Sequence, residues 1–298
     1  MTRHGTILGG VVATPDLAGS LDDYAGRLGL QIVERGTLSA EIAASWDCAG
    51  VAGAPSATLR PASGAPCWLR LVEQVLPDDF QPVRSFGWAA FEFSVQDVYA
   101  LPGRLLESGF TVVGPPKPIA NLPYFVPMQV TGRGREMIYL NEVHADTPSS
   151  DLPKAASPTD RIFIVILATA DRAGAVDWLR RSLGLDEGGS YTLEYTMINT
   201  AFGLPAGTQS TITMVQKGRL PIIEVDQYPA AAAVRAGPRG GLPPGNAVVT
   251  LAVEDLAAVR VPFITPPRRC DGALYEGRRA ACVLGSAGEL IELVEIER

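Results

Sequence analysis

The chain has 298 residues, 47% of them hydrophobic and 19% charged, with a formal net charge of −7. That length implies two domains of ordinary size rather than one outsized core, and the composition excludes a disordered chain. An acidic surface without a Lys/Arg stripe argues against nucleic acid as a partner. No apolar run approaches the ~20 residues needed to span a bilayer. Residues 1–5 lead straight into a strand-like stretch without a signal-peptide core. The expectation is a soluble, cytoplasmic protein with no membrane partner.

In chain order, residues 7–13 read as a short strand. Asp16 stands where a helix N-cap belongs, because its carboxylate can accept from the free amides of the first turn. Leu17, Leu21, Tyr24 and Leu28 then recur at helical spacing, and Leu28-Gly29-Leu30 ends the helix with a residue suited to the left-handed cap. Residues 91–97 (Phe-Glu-Phe-Ser-Val-Gln-Asp) repeat the strand-then-cap pattern, with a helix expected to about Ser108 and a closing strand over 134–140. A Pro/Ser-rich stretch, 144–159, follows. Residues 162–168 then begin a second copy of the opening: Asp171 caps, Val176, Leu179 and Leu183 recur, and Leu183-Gly184-Leu185 stops the helix. Asp16 to Leu30 spans the same distance as Asp171 to Leu185, so the copies are offset by 155 residues, which argues for duplication.

Extended stretches are expected over 191–198, 211–215 and 221–226, and an Ala/Gly/Pro-rich segment occupies 229–245. Residues 249–255 repeat strand and cap once more, the helix being cut short near Pro262, and 288–294 form the closing strand. The chain thus reads as four βαβββ modules, at about 5–75, 86–143, 160–228 and 246–297. The four cysteines, Cys48, Cys67, Cys270 and Cys282, lack the two-residue spacing of a metal knuckle or redox motif and read as small buried thiols.

Asp16-Leu17, Ser20, Tyr24 and Leu28-Gly29-Leu30 together resemble the opening of a glyoxalase/bleomycin-resistance/extradiol-dioxygenase module. Gly285-Ser286-Ala287-Gly288-Glu289-Leu290-Ile291-Glu292-Leu293-Val294-Glu295 resembles its closing strand. The chain is similar to a four-module member of this vicinal oxygen chelate superfamily over most of its length. The resemblance implies an α+β fold in which the modules pair into two cup-shaped mixed sheets. Modules one and two are expected to share a domain at 1–147, and modules three and four another at 148–298.

The resemblance also implies a divalent metal, held by His or Gln on a first strand and Glu on a last strand, which would gather two neighbouring substrate oxygens. Counting back seven residues from each cap gives Gly9, Ala90, Ile164 and Val248, none a ligand. The closing-strand positions are Arg70, Tyr139, Glu224 and Glu292. The two histidines, His4 and His144, lie outside both sets. No metal and no other cofactor is expected.

Arg70 and Tyr139 are expected to bind substrate in one cup, the guanidinium replacing the lost cation as a holder of anionic oxygen. The plainer reading of Arg70 is a structural ion pair. Arg70 and Glu73 differ by an odd number along a strand, so only one can face the cup. Glu224 and Glu292 are expected together in the other cup as a catalytic acid/base pair, one of them with a raised pKa. Alternatively each is satisfied by an Arg such as Arg219 or Arg278. Tyr191, Tyr195, Tyr124 and Phe125, with Trp68, could wall an aromatic ligand or simply pack the core.

Two functions stand side by side. One is a metal-independent lyase or isomerase acting on a hydrophobic or aromatic oxygenated small molecule. The other is a non-catalytic small-molecule binder, like the antibiotic-binding members of the superfamily. A divalent-metal lyase or dioxygenase ranks behind both, and a homodimer is left open.

Overall fold

In the computed structural model, residues 2–119 and 122–296 are described. The first module runs β1 (Ile7–Thr14), α1 (Leu17–Leu21, continued by wider turns to Arg27), β2 (Gln31–Thr37), α2 (Ala40–Ser45), β3 (Pro55–Arg60) and β4 (Trp68–Glu73). The second runs β5 (Gly87–Val95), α3 (Leu101–Arg104), β6 (Thr111–Gly114), β7 (Phe125–Thr131) and β8 (Met137–Val143). The third runs β9 (Thr159–Thr169), α4 (Arg172–Leu183), β10 (Asp186–Glu194), α5 (Thr196–Phe202), β11 (Gln209–Lys217) and β12 (Leu220–Gln227). The fourth runs β13 (Gly245–Val253), a single 3-10 turn (Leu256–Ala258), β14 (Arg268–Arg269), β15 (Arg279–Leu284) and β16 (Leu290–Glu295).

The duplicated openings fold as their caps dictate. Asp16 and Asp171 each accept the amide three residues on, from Gly19 and Gly174, both at 2.9 Å. Gly29 (φ +80°) and Gly184 (φ +67°) close their helices in the left-handed region, where a side chain would be strained. Two expectations are corrected. The helix expected to reach Ser108 ends at Arg104, and Glu107 beyond it turns left-handed at φ +59°. The extended stretch expected over 191–198 breaks after Glu194, because Tyr195 is the N-cap of α5.

The larger correction concerns pairing. Sheet one has the order β14-β15-β16-β13-β1-β4-β3-β2, joining modules one and four, and sheet two has the order β10-β11-β12-β9-β5-β8-β7-β6, joining modules two and three. Each cup therefore takes one module from each half of the chain, not two neighbours. The physical reason is that β1, β5 and β13 are buried at every residue. With no solvent-facing side, any first strand can lie beside any other, and the sequence alone sets no preference.

The two sheets pack back to back through their central strands, with the helices closing the flanks. One buried cluster runs through both, from Val12, Leu69 and Leu251 of sheet one to Phe91, Leu140 and Val165 of sheet two. Gly10 is required at this contact: a Cβ there would lie 2.5 Å from the Phe91 ring. Polar clasps cross the seam as well. Asn246 exchanges two hydrogen bonds with the Met137 backbone, at 3.0 and 3.1 Å, and Trp88 donates to the Leu290 carbonyl at 2.8 Å. No helix among the described residues is long and apolar enough to cross a membrane.

Candidate functional site

One hydrogen bond, repeated in every module, fixes which side chains enter the cups. Glu73, Glu142, Gln227 and Glu295, near the ends of the closing strands, accept the backbone amides of Leu17, Val98, Arg172 and Leu256 at 3.0–3.2 Å. These four therefore face the helices. Arg70, Tyr139, Glu224 and Glu292 lie three residues earlier, so strand alternation turns them to the opposite, concave face, as the register predicts. Strand pairing sets Val11 beside Arg70, Glu92 beside Tyr139, Ile166 beside Glu224 and Thr250 beside Glu292. These partners lie two residues past the first-strand positions counted from the caps, on the same face.

Because the modules pair across the halves, Arg70 shares a cup with Glu292, and Tyr139 shares one with Glu224. The expected Glu224/Glu292 pair does not form.

In sheet one, a loop over 270–278 folds across the cup and lowers Tyr275 to its floor. The loop is held by its own backbone bonds and by Arg278, which donates to the Tyr275 and Leu274 carbonyls at 2.8 and 2.6 Å. Arg70 donates to the Tyr275 hydroxyl at 3.2 Å, and that hydroxyl donates to Glu292 Oε1 at 2.9 Å. Trp46 donates to the same oxygen at 2.9 Å and Thr250 to the other at 2.8 Å. Glu292 is 2% exposed and fully engaged, so it orients its neighbours rather than offering a free base. Neither Arg219 nor Arg278 reaches it: Arg219 pairs with Asp151, and Arg278 holds the loop.

Arg70 opens onto a cavity of about 460 Å³, bounded also by Ser56, Thr58, Arg268, Cys270 and Glu34. Burial disfavours the charged guanidinium, but the adjoining Tyr275 hydroxyl and the Glu292 carboxylate outweigh it and raise its pKa. Burial raises the Cys270 thiol, so it is held neutral rather than activated.

In sheet two the cup is largely filled from within. Ile198 and Phe202 of α5, with Tyr228 and Ala232, pack over Ala90, Met137, Tyr139 and Ile166. Beneath them lies an acidic group that sequence reading missed. Glu92 accepts from Asn141 at 2.6 Å, and Asp226 has no partner but the neighbouring Glu224 carboxyl. Burial first, and the Glu224 carboxyl second, push Glu92 and Asp226 well above the usual carboxylate range. Burial pushes half-buried Glu224 up to about 7, with Asp226 and Tyr195 limiting the rise. Tyr139 and Tyr195 meet hydroxyl to hydroxyl at 3.0 Å, and Tyr195 lies 3.4 Å from Glu224. The signal for Glu92 was present: it is the one charged residue in the apolar run of β5.

The expected aromatic wall is dispersed. Tyr191 is 41% exposed on the edge strand β10. Tyr124 and Phe125 pack with Val143, Leu152 and Ile164, and Trp68 packs beneath the 270–278 loop with Leu274 and Tyr275. Only Tyr139 and Tyr195 come together.

The residues do not fit the metal that the fold implies. In sheet one a guanidinium occupies a closing-strand ligand position, and the facing carboxylate is saturated by three donors. In sheet two the positions hold Tyr139, Ile166 and two carboxyls raised by burial, and no group of three metal-binding side chains assembles among the described residues.

No family model matches the chain, and neither does any curated protein. Solved structures do. Glyoxalase I from Zea mays superposes at a TM-score of 0.62 and 16% identity, covering 97% of this chain and 92% of that one. A putative dioxygenase from Bacillus subtilis subsp. subtilis str. 168 superposes at a TM-score of 0.64 and 11% identity, covering 99% and 86%.

Proposed function

We propose that this chain, which has the four-module vicinal oxygen chelate fold, binds a small oxygenated organic anion in the cup of sheet one, with Arg70 in the role that the fold otherwise gives to a metal ion. The observation that carries this reading is the Arg70 guanidinium: buried, backed by Tyr275 and Glu292, and set on the wall of a cavity of about 460 Å³. That volume suits a small organic ligand. A planar guanidinium fork matches carboxylate or enolate oxygens, and its cost of desolvation is already met in the folded protein. The lining is more polar than the aromatic ligand expected from sequence requires, so oxygen content rather than ring area sets the fit. Binding without turnover is the simpler outcome here, since the buried carboxylate behind Arg70, Glu292, is saturated by three donors. The test is a thermal-shift screen of small carboxylates on wild type and Arg70→Gln. A stabilisation seen in wild type and lost in the variant supports the reading; equal shifts in both would refute it.

A second reading, a lyase or isomerase, is favoured by Glu224. A half-buried carboxyl pushed to about 7 and adjoining two tyrosines can take up and return a proton at neutral pH. Glu224→Gln would abolish such turnover while leaving binding in sheet one intact. Turnover that survives the substitution excludes Glu224 as the acid/base.

A further inference from the structure

The cavity in sheet one holds a second guanidinium, one nitrogen of which the protein leaves without a partner. Arg268, on the two-residue strand β14, lines the same cavity as Arg70, and its Nη2 is buried with no hydrogen-bond partner. Its neighbour Arg269 also borders the cavity, but its guanidinium is engaged, donating to the Gly277 carbonyl at 2.9 Å. A buried donor without an acceptor is unfavourable, so the fold retains at Nη2 a donor that no acceptor of the protein meets.

Cys270 lies between the two arginines. It lines the cavity, its thiol faces the Arg268 carbonyl at 3.8 Å, and the charges of both Arg268 and Arg70 act on it. Two guanidinium groups thus converge on one small space, from β4 on one side of the cup and β14 on the other. Glu34, Glu41 and Asp271 also line the cavity, but all three are exposed to water. Solvent screens them, whereas Arg70 is buried and acts in a lower dielectric, with Glu34 offsetting part of its charge. Glu34 is further engaged by the Ala273 amide at 3.2 Å.

We infer that Arg268 is a second anion anchor and that the ligand is a small organic dicarboxylate, one carboxylate on Arg70 and the other on Arg268. This rests on the reading of Arg70 given above and extends it to the ligand class. A monoanion leaves Arg268 unpaired, and a second carboxylate supplies the acceptor it lacks. Hydroxyls at Ser56 and Thr58 are available to the linking atoms.

The experiment is isothermal titration of the full chain with dicarboxylates from succinate to adipate, each matched to the monocarboxylate of equal length. At least one dicarboxylate is expected to bind tenfold or more tightly than its partner. Arg268→Gln should erase that preference, weakening the dicarboxylate at least tenfold more than the monocarboxylate, while Arg268→Lys, which keeps the charge but not the fork, should restore part of it. Circular dichroism of each variant checks that the sheet is intact. No preference in wild type across the series overturns the inference, and so does an Arg268→Gln variant that weakens both ligand types alike. The two readings fail separately. Monocarboxylate binding that survives Arg70→Gln removes the anchor role of Arg70, whereas the role of Arg268 is read from the preference alone.

Discussion

The hydroxyl of Tyr275 donates to Glu292 at 2.9 Å, joining a surface-spanning loop to the last strand of the chain. Through that bond Glu292 holds the residue that holds Arg70. Glu292 is therefore a positioning residue, and its removal should be costly. Glu292→Ala strands the Trp46, Tyr275 and Thr250 donors and leaves the Arg70 charge unbalanced, a loss of about 3–5 kcal/mol. Glu292→Gln keeps an acceptor at the site and should cost less, about 1–3 kcal/mol. Urea unfolding measures both, and an alanine variant within 1 kcal/mol of wild type, roughly the worth of one ordinary hydrogen bond, would contradict this role.

Buried carboxyls make stability fall as pH rises. Burial pushes Glu136, Glu289 and Glu224 up to about 7, and raises Glu92 and Asp226 as well. Between the unfolded value near 4.5 and the folded value near 7 the native state keeps protons that the unfolded chain has released. The contribution of Glu136, Glu224 and Glu289 is therefore fully present below about pH 4.5 and is lost up to about pH 7, while Glu92 and Asp226 act in the same direction. For Glu136 and Glu289, almost wholly buried, the loss is about 3 kcal/mol each. Unfolding midpoints at about pH 5 and about pH 8 test this. Glu289→Gln should reduce the difference between them, and a midpoint that rises with pH would run against the account.

Much of the fold was legible in the sequence. Asp16 and Asp171 cap helices, Gly29 and Gly184 end them, and the odd spacing from Arg70 to Glu73 separates the cup face from the helix face. Each of these is a local rule acting over a few residues. Module pairing was not legible, because it is decided between strands far apart in sequence that are buried on both faces. Glu92, Tyr275 and Arg268 escaped for a related reason. Each is brought to its cup by register or by a loop, and neither leaves a periodic signature. Glu224 was singled out correctly as an inward carboxylate, but its neighbours are Glu92 and Asp226, not Glu292.

The seam between the sheets should be sensitive at Gly10. Gly10→Ala drives a methyl into the Phe91 ring, and overpacking of this kind costs about 1–3 kcal/mol. Phe91→Leu alone should also destabilise, yet the double variant should recover part of the Gly10→Ala loss. Strictly additive losses in a double-mutant cycle would show that the contact does not couple the sheets.

The central claim is that Arg70, not a metal ion, holds the ligand of this fold. Its most direct measurement is titration of a bound carboxylate, identified by the screen above, into protein freed of metal with a chelator. The same titration is then run after adding Zn²⁺, Ni²⁺, Mn²⁺ or Fe²⁺, and repeated on Arg70→Gln. The expected result is one affinity with and without metal, falling tenfold or more in the variant. Binding that appears only when a divalent ion is restored, and that Arg70→Gln leaves unchanged, would contradict it.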